Sequence, residues 1–226
     1  MADAVRGGGT DALTSGTTRI YLARHGRTPL NAAGVLRGRL DPPLDQVGRR
    51  QARRLGAALG RRGITVVVAS PLRRAVDTAA AVAGQAGLSV ETDVRLIDRG
   101  YGRWAGMRRE AVEAQWGSLD DAPDVEPADD VRARAWDALN DLARRAAGGI
   151  AVAVSHDIVI RLALVTIDPE LGDPELVPQG TGCFNTLEER GGRWTVVRVN
   201  EAPTDHEPDA VPENGLPEDG PNEDDR

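Results

Sequence analysis

The 226-residue chain has a formal net charge of −7, but residues 201–226 hold ten acids against Arg226 alone, which puts −9 in the tail and about +2 in the body. No clustered positive charge marks a nucleic-acid surface, and all 28 basic residues are Arg, so neither a lysine Schiff base nor a lysine general base is available. The single Cys183 excludes an intrachain disulfide and fits a reducing compartment, and no stretch approaches the ~18 apolar residues of a membrane span, so a cytoplasmic protein is expected.

Residues 1–18 (MADAVRGGGTDALTSGTT) are rich in Gly, Thr and Ser, lack the apolar run of a secretory signal, and are expected to be disordered. The short apolar run 19–23 (RIYLA) predicts a strand that stops at Arg24-His25-Gly26. Over 45–63, Val47, Ala52, Leu55, Ala58 and Leu59 recur at helical spacing. The β-branched run ITVVVAS (64–70) predicts a second strand, bounded by Gly63 and Pro71, and the Ala-rich segment 73–87 a helix. LSVETD (88–93) is expected to be a strand, and 131–147 an amphipathic helix ended by Gly148-Gly149. IAVAVSH (150–156) is a third continuous apolar strand, followed by a helix over about 157–166. CFNTLEERGGRWTVVRV (183–199) alternates on either side of a Gly-Gly pair, a hairpin signal. The last residues, 203–226, combine Pro, Gly and acids and are expected to be a disordered tail, with His206 idle within it. Apolar strands without alternation, separated by helices, predict an α/β fold whose parallel sheet is covered on both faces, in one domain over 19–202.

In open α/β sheets, ligands sit beyond the carboxyl ends of the strands. The three apolar strands end in Arg24-His25-Gly26, in Ser70-Pro71-Leu72-Arg73-Arg74 and in Ser155-His156-Asp157. A lone histidine after a strand is an ordinary loop residue, and an Arg pair is an ordinary solvated helix face. Three such ends converge on one pocket if the strands are neighbours. Adjacent guanidiniums would repel a dication, whereas their forks match phosphate oxygens, so the pocket is read as a phosphate site rather than a metal site. A neutral imidazole among arginines is also a competent phosphoryl acceptor.

The blocks RHGRTPLN…GRLDPPLDQVGRRQA (24–52), SPLRRAVDTA (70–79), LIDRGYGRWAG (96–106) and VSHD (154–157) resemble, in order and spacing, the histidine phosphatase superfamily, also called the phosphoglycerate mutase-like family. The likeness spans about residues 19–200. It implies a three-layer α/β/α sandwich with a mostly parallel central sheet, and metal-free, cofactor-free phosphoryl transfer through a phosphohistidine. By position it implies His25 as nucleophile, Arg24 and Arg74 as clamps on the phosphoryl oxygens, and His156 as a hydrogen-bond donor to the transferring group. Asn31 and the loop around Arg37 and Gly38 would border the phosphate or the substrate.

Two departures from the family pattern concern the proton donor. The family's L-x-E-x-x-x-G-x-W-x-G reads here with Asp98 in place of Glu, one methylene shorter. The usual Ser-His-Gly reads Ser155-His156-Asp157, and a His-Asp pair marks the acid-phosphatase branch, where that Asp is the donor. Asp98 and Asp157 are therefore both candidates.

The resemblance further places a substrate lid between Trp104 and about residue 131. That segment includes SLDDAPDVEPADD without a base, and only 57 residues separate Asp98 from His156. A short, acidic lid favours water as the second acceptor and hence a phosphatase acting on a small phosphorylated metabolite. The alternatives are a phosphoglycerate mutase-type phosphotransferase, which would need cations such as Arg103, Arg108 or Arg109 for a second anionic group, and a weakly active relative that binds phosphorylated ligands. An edge strand in the closing hairpin would permit a homodimer.

Overall fold

The structure is a computed structural model that describes residues 16–203, so the expected disorder of residues 1–15 and of the tail from residue 204, including His206, lies outside the described residues. Chain order among the described residues is β1 (Thr18–Arg24), α1 (Pro29–Ala32), α2 (Gln46–Leu59), β2 (Ile64–Ala69), α3 (Arg73–Ala86), β3 (Glu91–Thr92), α4 (Arg109–Trp116), α5 (Ala128–Arg145), β4 (Ile150–Ser155), α6 (Asp157–Ile167), β5 (Phe184–Arg190) and β6 (Arg193–Glu201). The strands form one sheet in the order β3-β2-β4-β1-β5-β6, parallel from β3 to β1 and antiparallel across β5 and β6.

Alternation within each buried strand distributes its apolar side chains between two faces. On one face Ile20, Leu22, Val68, Ala151 and Ala153 pack against Leu139 and Leu142 of α5 and Ile160 and Leu164 of α6. On the other, Tyr21, Ala23, Val67, Ala69, Val152 and Val154 pack against Leu55 and Leu59 of α2 and Ala75, Ala79 and Val82 of α3. The result is a three-layer α/β/α sandwich. Full burial of each large aliphatic side chain contributes about 1.5–3 kcal/mol. The small alanines of α3 let it approach α2 closely: a Cβ on Gly56 would lie 2.4 Å from Ala81 O.

The helices are bounded by local signals. Asp45 caps α2 by accepting from Gly48 N–H, and Gly87, with φ +69°, ends α3 in the left-handed conformation. Two expectations were too generous or incomplete. Only Glu91–Thr92 of the segment 88–93 pairs with β2, because Asp93 turns the chain by capping the 3₁₀ turn Val94–Leu96. The short helices α1 and α4 had no periodic run long enough to announce them. Between β3 and α5, Tyr101, Trp104, Val112, Leu119 and Ala122 join Leu36 in a small separate core that covers the carboxyl ends of the strands. Among the described residues, no helix is long and apolar enough to cross a membrane.

Candidate active site

β2, β4 and β1 are neighbours, and their register aligns their carboxyl ends: Arg24 pairs with Ser155, and Ala69 with Val154. His25 N–H donates to Ser155 O at 3.1 Å, and Ser70 N–H to Val154 O at 2.9 Å. The three chain ends singled out in the sequence therefore emerge side by side. The His25 and His156 ring centroids lie 5.1 Å apart, and both side chains are buried.

His25 has one nitrogen committed and one exposed to cations. Nδ1 lies 2.7 Å from Gly26 O, an acceptor only, so Nδ1 carries the proton and Nε2 keeps its lone pair. Arg74 Nε–H faces that Nε2 at 3.3 Å. Burial, followed by the charges of Arg74 and Arg24, holds the His25 pKa well below the ordinary 6.5. The loop carrying His25 is fixed by close packing of two glycines: a Cβ on Gly26 would meet Gly48 O at 2.5 Å, and a Cβ on Gly48 would meet Arg27 O at 2.0 Å. Gly26 N–H also donates to Thr78 Oγ1 at 3.0 Å.

Arg74, in the first turn of α3, is wholly buried, and each of its three nitrogens is engaged. Its Nη2 donates to Gly38 O at 2.9 Å and to Asp98 Oδ2 at 3.0 Å, and its Nη1 to Leu40 O at 2.6 Å. Gly38 sits at φ +49° and in contact with Arg99 O and Tyr101, so a side chain there would be strained and crowded. Arg24 donates to Gln179 O and lies 3.3 Å from Asp157 Oδ2, while its Nε is buried with no partner. Arg37 donates from Nη1 to Val35 O at 3.2 Å, and its Nε is likewise buried and unpartnered.

His156 Nε2 lies 2.7 Å from Ser70 Oγ, and Ser70 Oγ accepts from Leu72 N–H at 3.3 Å. With the Ser70 hydroxyl proton directed at Nε2, the imidazole proton sits on Nδ1. That Nδ1 is buried without a hydrogen-bond partner, 3.8 Å from Asp98 Oδ2. Burial, then Arg74 and His25, push the His156 pKa well below its ordinary value. Orphaned buried polar atoms are rare. Among the described residues three such atoms remain, on Arg24, Arg37 and His156, and both guanidiniums act on His25 and on His156, whose rings lie 5.1 Å apart.

The two candidate proton donors differ. Asp98 is 3% exposed and raised above the ordinary carboxyl pKa, because burial outweighs the opposing charges of Arg74 and Arg37. Asp157 does not cap the next helix: it is the first residue of α6, with Arg161 Nε at 2.5 Å and Arg24 Nη1 at 3.3 Å. Asn31 turns its carbonyl oxygen back to Thr28, closing the capping box of α1 with a 3.0 Å bond from Thr28 N–H, and it does not line the adjoining cavity.

That cavity, about 200 Å³, is lined by Arg37, Asp98 and Asp157 together with Tyr101, Arg109, Glu110, Arg161 and Glu175. Three acids of the segment expected to form a lid are paired: Asp120 with Arg99, Asp124 with Arg103, and Glu126 with Arg134. Ser70, Gln179 and Arg161 are site residues that the sequence reading did not assign. Ser70 stood at a flagged strand end and could have been found; Gln179 and Arg161 reach the site only through tertiary contacts. Among the described residues, no group of three or more His, Cys, Asp and Glu side chains is placed to hold a metal ion.

The family model for the histidine phosphatase superfamily, branch 1, matches residues 20–202. A glucosyl-3-phosphoglycerate phosphatase of Mycolicibacterium vanbaalenii is 40% identical over 96 residues, which is 42% of this chain and 43% of that protein. The aligned part is thus less than half the length of that relative. The solved structure of a mycobacterial glucosyl-3-phosphoglycerate phosphatase in complex with VO3 is 29% identical, superposes with a TM-score of 0.73, and covers 81% of this chain and 98% of its own. A phosphoglycerate mutase from Bacillus anthracis, 22% identical with a TM-score of 0.74 over 85% of this chain and 96% of its own, shares the fold.

Proposed function

This chain belongs to the histidine phosphatase superfamily, and from that premise we propose that it is a phosphomonoester hydrolase that works through a phosphohistidine on His25. The observation that carries the proposal is the arrangement at His25: Nδ1 is bonded to Gly26 O, and the remaining nitrogen faces Arg74. Among the described residues, buried nitrogens without a partner remain on Arg24, Arg37 and His156, and all three residues lie near His25. A dianionic phosphoryl group fits donors of this kind, and positioning plus charge stabilisation is most of what phosphoryl transfer requires. That a mycobacterial relative was solved in complex with VO3 is in keeping with an oxyanion-binding site in this fold.

In the first step the Nε2 lone pair forms the N–P bond as the P–O bond to the leaving group breaks. The departing oxygen takes a proton from Asp98, whose raised pKa suits a donor. Arg24, Arg37 and the Nδ1–H of His156 hold the three equatorial oxygens. In the second step the Asp98 carboxylate accepts a proton from water as that water attacks phosphorus, the N–P bond breaks, and phosphate leaves with His25 restored. Asp157 acts as a positioning residue that orients Arg24, because both of its oxygens are engaged by guanidiniums.

The substrate class is a small phosphorylated metabolite of the sugar-phosphate type, in keeping with the relatives' names. The reading includes one catalytic domain over residues 19–202, a cytoplasmic setting, and no cofactor. Phosphate release from a panel of phosphomonoesters in the presence of EDTA tests it. Turnover that resists chelation and disappears in His25→Ala is expected; full activity in His25→Ala would overturn the proposal.

A further inference from the structure

The positive charge around the cavity is divided into two zones. Arg24, Arg37 and Arg74 all act on His25, and Arg37 also acts on His156, Asp98 and Arg74, which places it with the phosphoryl clamp. The other arginines of the cavity wall, Arg109 and Arg161, are compensated. Arg109 makes a two-pronged contact with Glu175, Nη1 to Oε2 at 2.9 Å and Nη2 to Oε1 at 2.7 Å, and its Nε binds Glu113 at 2.6 Å. Arg161 is held by Asp157 and by the carbonyls of Pro174 and Glu175. Of the cations considered for a second anion, Arg103 is engaged by Asp124, Arg109 alone lines the cavity, and it carries two carboxylates. Glu110, with no ion pair among the described residues, adds a further negative charge to the wall.

We infer that the part of the substrate that leaves with the ester oxygen is uncharged and rich in hydroxyls, and that the Arg109–Glu175 pair selects it against substrates carrying a second anion. The inference rests on the proposed phosphatase reading and sets this chain's substrate apart from the carboxylate-bearing phosphoglycerate in the relatives' names. A hydroxyl both donates and accepts, and a guanidinium–carboxylate pair presents acceptors and donors at fixed spacing with no net charge. The buried, neutral phenol of Tyr101, its pKa raised by burial, faces the same cavity and offers one more donor–acceptor group. A second carboxylate or phosphate would find its cation already paired and would lie against Glu110 and Glu175, where like charge disfavours it. A cavity of about 200 Å³ suits one small group of this kind.

The test uses two esters that differ at one carbon: glycerol 3-phosphate, with a neutral hydroxymethyl, and 3-phosphoglycerate, with a carboxylate. The parent is expected to favour glycerol 3-phosphate in kcat/KM by about tenfold or more, as one like charge at short range implies. In Glu175→Gln the two terminal nitrogens of Arg109 are freed of their carboxylate while Glu113 keeps Nε, and there, and more so in Glu110→Gln/Glu175→Gln, the ratio should fall at least fivefold toward the acid. The ratio cancels any loss of folded protein. A parent that hydrolyses p-nitrophenyl phosphate but takes both esters equally, or prefers 3-phosphoglycerate, overturns the inference alone. A parent that hydrolyses none of the three overturns the phosphatase reading and the inference with it.

Discussion

Arg74 Nε–H points at His25 Nε2 across 3.3 Å, so the nitrogen with the available lone pair is also the one nearest a fixed positive charge. The same guanidinium holds Gly38 O, Leu40 O and Asp98. One buried side chain thereby acts on the protonation of His25, the course of the loop over it, and the position of Asp98.

Removing that side chain should act on stability and on rate. Arg74→Ala leaves Asp98 and two carbonyls without a buried partner, and breaking a buried pair in this way costs about 3–5 kcal/mol, measured by urea denaturation. Arg74→Lys keeps the charge but loses the fork. It should retain more stability and still lose about 10²-fold in kcat on any ester, the scale for misplaced reacting groups, because one ammonium cannot hold Gly38 O, Leu40 O and Asp98 together. A lysine variant with parental kcat would contradict the role given to the fork.

The acid is tested by leaving-group dependence. Asp98→Asn should slow hydrolysis of alkyl phosphates by about 10²–10⁴ and that of p-nitrophenyl phosphate far less, because a good leaving group needs no proton. Equal losses on both would remove Asp98 from this role. Asp157→Asn, which loosens Arg24, should instead raise KM for both esters together.

Stability should depend on pH through the two histidines. Both are held neutral in the fold, with pKa values well below the unfolded 6.5. The unfolded state therefore binds more protons below that value, and stability falls as pH drops through 6.5, levelling only below the depressed folded values. Asp98 works in the opposite sense: its raised pKa favours the fold at low pH, and that contribution is lost as pH rises through its folded value. Denaturant midpoints taken from about pH 7 to pH 5 should fall in the parent and flatten in His25→Asn/His156→Asn. An unchanged slope in the double variant would contradict the burial of neutral imidazoles.

Backbone contact separates two glycine substitutions. Gly48→Ala would drive its Cβ to 2.0 Å from Arg27 O, displacing the His25 loop, and should lower both Tm and kcat. Gly84→Ala, in an exposed position of α3 with nothing within 4 Å, should add about 0.5–1 kcal/mol of stability with kcat unchanged. Thermal melts and steady-state rates on the two variants check both.

Much of this was legible in the sequence where a local pattern carries the physics. Unbroken apolar runs marked β1, β2 and β4, and the chemistry at their ends marked His25, Arg74 and His156. Their adjacency in the sheet turned three separate signals into one site. What escaped the reading depends on contacts between distant residues. The engagement of Asp157 by Arg24 and Arg161, the support of Arg24 by Gln179 O, and the bond from Ser70 to His156 leave no mark on periodicity. The acids of residues 118–130 read in one dimension as an acidic lid that favours water as the second acceptor; folded, Asp120, Asp124 and Glu126 are paired with Arg99, Arg103 and Arg134.

The central claim is a covalent bond between phosphorus and His25. The most direct measurement is rapid alkaline quench of the enzyme during turnover of p-nitrophenyl phosphate, followed by peptide mass spectrometry. The account predicts a phosphoryl group on the peptide containing His25, formed at least as fast as steady-state turnover and absent in His25→Ala. Steady turnover with no phosphorylated peptide, or with the phosphoryl group on any other residue, would contradict it.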